Sequence, residues 1–275
     1  FSLLYKPESN LQFRTTWSTG FRAPQAFDTD LHIAFAGGGI SRISLADNLK
    51  EERSNSFSAS INYDKPTEHY IFGFTLEGFY THLDDAFYLA SLGEDEFGKR
   101  FEKQNGDGAT VKGLTIEIRV NYDKKVQLEA GFNIQSSKFD TAVENIEGLP
   151  ALREFLRTPN DYGFAMLSYS PNQKFSTTIN YVYTGTMKIA HFAGAPEQPI
   201  DVYTNSKPFS ELGIKSSYNF ELKNLQTGLE VFGGVKNIFD AYQSDFDSGK
   251  NRDSNYVYGP ATPRTVFVGL RIKSL

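Results

Sequence analysis

The sequence predicts an all-β chain, a transmembrane antiparallel β-barrel segment of about eleven strands. Three observations carry this. Apolar and polar residues alternate along nearly the whole length, the links between alternating runs are by turns short and long, and aromatic residues sit beside the short links.

The alternation is clearest in the middle of the chain. Leu114, Ile116, Ile118, Val120 and Tyr122 are separated by Thr115, Glu117, Arg119 and Asn121. After a turn through 123–125 the pattern resumes with Val126, Leu128, Ala130, Phe132 and Ile134. Alternate side chains of a strand face opposite sides of a sheet, so one face is apolar and the other polar. Runs of this kind place strands at 1–6, 11–22, 50–63, 69–90, 99–123, 126–138, 160–170, 174–187, 208–221, 225–238 and 263–273. The segment 143–156 has rough three-to-four spacing of Val143, Ile146, Leu149, Leu152 and Phe155, which predicts a short loop helix.

Alternation alone fits either a soluble barrel with a dry centre or a membrane barrel with a wet one. The links decide. Those at 6–10, 64–68, 123–125, 171–173 and 221–225 are short, whereas 20–50, 137–158, 185–207 and 241–260 are long. Outer-membrane barrels have this asymmetry, with short periplasmic turns and long outer loops. Tyr5, Phe13, Tyr63, Tyr70, Tyr122, Tyr169 and Tyr218 beside the short turns would form an interfacial girdle. The polar rows, among them Arg14, Thr16, Glu77, Glu117, Arg119, Glu129, Asn133, Lys215, Glu230 and Arg271, then line the lumen.

Composition bounds the rest. Of 275 residues 39% are hydrophobic and 15% aromatic. No run approaches the roughly 18 apolar residues of a membrane-spanning helix. A net charge of −5 without a basic stripe argues against nucleic acid as partner. The absence of cysteine excludes a disulfide scaffold and thiolate metal sites. No Ser-His-Asp, His-Glu or paired-carboxylate arrangement suggests an enzyme. The chain starts at Phe1 with strand character and shows no initiator Met, signal peptide or lipobox, so it is read as a mature fragment.

Four motifs add a resemblance. Gly20-Phe21-Arg22-Ala23-Pro24-Gln25 resembles the FRAP segment of TonB-dependent receptors, and Asp47-Asn48-Leu49-Lys50-Glu51-Glu52-Arg53-Ser54 resembles their N-P-x-L-K-P-E-x-S element without its prolines. Val235-Lys236-Asn237-Ile238-Phe239-Asp240 is similar to their near-terminal V-x-N-L-F-D strand end. Pro263-Arg264 through Gly269-Leu270 is similar to the final strand. The terminal Ile272-Lys273-Ser274-Leu275 departs from the aromatic ending common in the family.

The resemblance implies that residues 1–275 are the C-terminal half of a barrel of about 22 strands, whose N-terminal plug and first strands lie outside this chain. It further implies energised import of a scarce, bulky solute across the outer membrane of a Gram-negative bacterium. The solute would be a metal chelate: a ferric siderophore, cobalamin or haem. Expected partners are the TonB–ExbB–ExbD complex acting through the plug, the lipid bilayer and a surface lipoprotein. A passive porin-like or adhesin barrel without TonB coupling is the competing reading, and a soluble glycan-binding β-protein is a third.

His32 stands where haem receptors of this family place an axial ligand, and imidazole is a good iron ligand. Arg22 and Arg42, in the same region, are the accompanying ligand-binding candidates. Asp84, Asp85 and Asp95 supply oxygen ligands suited to Ca²⁺ in an outer loop. No intrinsic cofactor is expected.

Overall fold

The computed structural model describes all residues except 26–41, 97, 147, 223–225, 254–255 and 275. Its strands, in chain order, begin with β1 (Ser2–Glu8), β2 (Leu11–Arg22), β3 (Arg42–Leu45), β4 (Glu52–Pro66) and β5 (Tyr70–Asp84). Next come β6 (Phe87–Asp95), β7 (Gly98–Asn105), β8 (Gly108–Tyr122), β9 (Val126–Val143), β10 (Leu152–Glu154) and β11 (Asp161–Tyr169). The last are β12 (Phe175–Thr184), β13 (Lys188–His191), β14 (Val202–Asn205), β15 (Phe209–Leu222), β16 (Thr227–Lys236) and β17 (Thr265–Ser274). One sheet takes the long strands in the order β1-β2-β4-β5-β8-β9-β11-β12-β15-β16-β17. Every pairing along it is antiparallel and joins neighbours in the chain. The six remaining strands fall within the long connections at one end of this meander.

Register keeps the apolar rows together across the sheet. Phe74 faces Ile118, which faces Ala130, which faces Ala165 and then Tyr181. On β8 the outward Leu114, Ile116 and Ile118 are exposed, whereas the intervening Thr115, Glu117 and Arg119 are half-buried. Phe132 and Ile134 are 38% and 59% exposed, and Asn133 between them is 5% exposed. A sheet whose polar side chains are more hidden than its aliphatic ones is concave on the polar side. Ile118 and Val268 are likewise exposed and Ile179 is half-buried, so no dry centre gathers them. Scattered exposed aliphatics are ordinary on soluble proteins, but a face of this extent requires hydrocarbon around it. The aromatic girdle is present at the short turns. Tyr5 stacks with Phe13, Tyr70 pairs with Tyr122 at 4.9 Å and Tyr218 with Phe220 at 4.7 Å.

Two expectations are corrected. The runs 69–90 and 99–123 are not single strands. Asp85 adopts a left-handed conformation (φ 55°) and turns the chain, so that β5 ends at Asp84 and β6 starts anew at Phe87. β6, β7 and β3 form a separate three-stranded sheet. Among the described residues 143–156 hold no helix. Gly148 sits at φ 80°, Pro150 lacks a donor, and β10 pairs with β9 instead. The barrel strands themselves are long: β9 has 18 residues and β8 has 15, against the roughly 9–11 that cross a bilayer. Their outer ends therefore stand clear of the membrane and carry the loops.

Candidate functional site: inner wall and outer loops

The inner wall is built by hydrogen-bonded neighbours on the polar rows. Arg119 donates to Thr75 Oγ1 at 3.0 Å and Asp64 Oδ1 at 3.3 Å, and Thr115 donates to Asn133 Oδ1 at 2.8 Å. Glu230, whose side chain is 7% exposed, meets Arg271 at 3.1 Å and Lys273 at 2.7 Å. These side chains satisfy one another and form a polar surface that can border a polar path.

Above it, the first two family-like motifs clamp each other. β2 and β4 bring Arg22 opposite Glu52, whose Oε2 accepts from Arg22 at 3.3 Å and from the Phe87 backbone at 3.0 Å. The Phe87 ring has two cations over it, Arg22 at 5.0 Å and Lys103 at 5.1 Å from its centroid. Lys103 is almost wholly buried and donates to the Gln25 carbonyl at 3.0 Å. Asn105 holds the other side of the clamp. Its Nδ2 donates to the Lys50 and Asp85 carbonyls, and its Oδ1 accepts from the Lys50 amide. The Leu49 amide closes a turn on Ala46 beside Asn48, while Phe21 is 77% exposed on the outer face.

The third and fourth motifs also meet. Asn237 is buried at φ 48°, and its Nδ2 donates to the Ala241 and Thr262 carbonyls while its Oδ1 accepts from the Ala241 amide. Asp240 Oδ1 accepts from the Arg264 amide at 2.8 Å, and Arg264 Nε donates to the Ile238 carbonyl at 2.9 Å. Phe239 is exposed, and Pro263 precedes the paired start of β17. Arg22, Asn237 and Arg264 thus mark joints of the scaffold, with Ala23, Pro24, Asn48, Leu49 and Pro263 beside them in the chain and Phe21 and Phe239 exposed.

A second outer layer was not foreseen. The β13–β14 hairpin and the 237–264 connection pack on each other around Ile189, Phe209, Tyr256 and Tyr258. His191 stacks flat on Tyr256, with centroids 3.6 Å apart, and its Nε2 lies 2.8 Å from Asp247 Oδ1. Both tyrosine hydroxyls donate to Asp245, and Gln243 ties the Tyr256 carbonyl to the Tyr258 amide. His191 and Asp247 lie far apart in the chain, and no local pattern marks them as partners.

The ionisation of this cap follows from its contacts. Burial pushes the Tyr256 phenol up to about 12, with the Asp245 hydrogen bond adding to it. Tyr258 is raised by the same two causes in the same order. Burial also works to raise Asp245, but the hydrogen bonds from Tyr258 and Tyr256 outweigh it and hold the carboxyl below the ordinary aspartate value. A lowered carboxyl stabilises the cap above the unfolded pKa and stops doing so as pH falls through the folded one. A raised phenol stabilises below the unfolded pKa and stops as pH rises through the folded one. The cap is therefore expected to be tightest between roughly pH 4 and pH 10. Amide hydrogen exchange in 237–264 should accelerate on both sides of that window. Exchange that is flat from pH 3 to 11, after correction for the intrinsic rate, would refute this.

The sequence-predicted ligand candidates that the structure describes have partners of their own. His32 lies outside the described residues. Arg42 pairs with Asp95, and Arg22 is engaged by Glu52. Asp84 sits 3.2 Å from His82, Asp85 serves as a turn residue, and Asp95 is at the β6–β7 tip. Among the described residues no three His, Asp or Glu side chains converge to hold a metal ion.

Comparison with known proteins agrees with this geometry. The family model described as TonB dependent receptor-like, beta-barrel matches residues 1–238. Hemoglobin-binding protein A of Haemophilus influenzae is 26% identical over 269 residues, covering 89% of this chain and 24% of that protein. The siderophore receptor PirA from Acinetobacter baumannii superposes with a TM-score of 0.64 at 16% identity, over 100% of this chain and 40% of its own. FpvA of P. aeruginosa, solved with a ferric pyoverdine, gives 0.65 at 12% identity, over 98% of this chain and 32% of its own. The chain thus spans well under half of each of these relatives.

Proposed function

We propose, on the premise that this chain belongs to the TonB-dependent receptor β-barrel family, that it forms wall and outer loops of a Gram-negative outer-membrane receptor importing an iron chelate. The observation that carries the reading is the two-sided sheet: an exposed apolar outer face and a concave, internally paired polar one. Only a closed barrel lets such a sheet stand in lipid with its backbone satisfied. A plug outside this chain would couple the receptor to TonB–ExbB–ExbD, and a surface lipoprotein could deliver the solute.

Siderophore, haem and cobalamin all fit a bulky, scarce cargo. The names of the relatives favour iron, and the haemoglobin-binding one favours haem among iron sources. The test is accumulation of radiolabelled ferric siderophore and of haem by iron-limited cells expressing the whole receptor, with and without a functional TonB. Uptake of one of them that is lost with TonB is expected. Equal uptake in both backgrounds would favour the passive, porin-like alternative.

A further inference from the structure

Three neighbouring short turns, 67–69, 123–125 and 170–174, join β4 to β5, β8 to β9 and β11 to β12. Backbone hydrogen bonds hold them side by side. The Asp123 amide donates to the His69 carbonyl at 2.8 Å, and the Ser170 amide donates to the Lys125 carbonyl at 2.7 Å. Lys65, Lys124, Lys125 and Lys174 stand in or beside these turns, and all four are exposed. Among the described residues none of their ammonium groups has a hydrogen-bond or ion-pair partner.

The carboxylates of the same rim are drawn elsewhere. Asp64 lies on the inward row, where Gly73 opposite it leaves the space in which its carboxylate meets Arg119 at 3.3 Å. Asp123 is half-buried against His69, with Oδ1 2.8 Å from Nδ1. Glu68 is exposed in the first turn, and 170–174 hold no acidic residue. A chain whose net charge is −5 therefore presents an excess of lysine here.

The lysines stand at a fixed step from the aromatic girdle. Lys65 follows Tyr63 by two residues on the outward row of β4 and faces Phe72, which puts it on the lipid side of the wall. Lys124 follows Tyr122 by two residues, in a turn closed by the Lys125 amide on the Tyr122 carbonyl at 2.8 Å. Tyr63 and Tyr122 each belong to a ring pair of the girdle, with Phe74 at 5.7 Å and Tyr70 at 4.9 Å. Lys124 holds φ 57°, a conformation that glycine takes more readily.

We propose that this rim docks anionic phospholipid headgroups, of the phosphatidylglycerol class, in the periplasmic leaflet. Girdle tyrosines mark the depth at which hydrocarbon gives way to headgroups. A lysine just beyond that depth keeps its stem on apolar surface and its ammonium among the phosphates. Attraction to anionic lipid tightens association about fivefold per lysine. The surface continues the lipid-facing side of the sheet, so a lipid lying against Tyr63 or Tyr122 reaches Lys65 or Lys124 without any opening of the protein. The inference goes beyond the uptake reading and holds for any cargo. It rests on the chain standing in a membrane as a barrel.

The test is native mass spectrometry of the full-length receptor in detergent, titrated with dimyristoyl-phosphatidylglycerol or with dimyristoyl-phosphatidylcholine. The first phosphatidylglycerol is expected to bind about fivefold or more tightly than phosphatidylcholine, and Lys65→Gln/Lys124→Gln/Lys125→Gln should reduce this preference to about twofold or less. Lys112→Gln/Lys138→Gln/Lys250→Gln removes as many exposed charges at the loop end and should keep the parent's preference. Equal affinity of the parent for both lipids overturns the proposal. So does an undiminished preference in the turn variant, or an equal loss in the loop-end variant. A lowered urea midpoint of the turn variant in pure phosphocholine vesicles would assign the lysines to the protein's own packing and overturn it as well. A receptor that accumulates iron chelate without any lipid preference would lose this surface and keep the uptake reading.

Discussion

Ile118→Arg is expected to destabilise the barrel by about 2–4 kcal/mol, whereas Gln127→Arg changes stability by about 0.5 kcal/mol or less. Ile118 is the middle member of the outward row Leu114–Tyr122, between Phe74 on β5 and Ala130 on β9. At that depth an arginine has no water, and no carboxylate stands on the outward row beside it. Snorkelling to an interface is hindered by Leu114 and Ile116 on one side and Val120 and Tyr122 on the other. Gln127 is exposed on the inward row opposite Asn121, where the lumen hydrates the same guanidinium. The measurement is urea unfolding of the full-length receptor in phosphocholine vesicles, comparing midpoints at constant slope. Equal costs at the two positions, or a greater cost at Gln127, would mean that the two faces have been assigned the wrong way round.

That contrast was legible in the sequence because it depends only on parity. A period-two pattern fixes which side chains share a face, and the alternation of short and long links fixes which end bears the loops. The eleven long strands appear in the sheet in the expected order for this reason. What parity cannot show is where a strand stops being part of the barrel. The 69–90 run keeps its apolar character past Asp84, and only the left-handed Asp85 reveals that Phe87 belongs to another sheet. The expected helix at 143–156 failed in a similar way, since its spacing was interrupted by Gly148 and Pro150 and three residues found a partner on β9. The outer cap was the least legible part. Its contacts join 187–206 to 241–258, and no local pattern encodes a His191–Asp247 pair or a carboxylate shared by two tyrosines. The family-like motifs were legible singly, but not that they meet in pairs. Arg22 is spent on Glu52 and Phe87, and the later pair of motifs joins two strand ends.

This last joint gives the second large effect. Asn237→Ala is expected to cost about 3–4 kcal/mol, from three lost hydrogen bonds of about 1 kcal/mol each and the strain of a left-handed alanine. Asn237 follows β16 directly, and Thr262 lies just before β17, so its side chain sets the start of the Lys236–Thr265 register. Asn237→Gly should recover about 1 kcal/mol of this, because glycine takes φ 48° freely but cannot replace the amide. Asn237→Asp should do no better than alanine. It keeps an acceptor for the Ala241 amide but turns a carboxylate oxygen towards the Ala241 and Thr262 carbonyls. The same vesicle titration reads the stabilities, and hydrogen exchange at 237–241 and 262–265 locates the loss. If the alanine variant matches the parent, or if glycine restores full stability, the side chain is not what ties β16 to β17. The motif would then be needed only for its backbone turn.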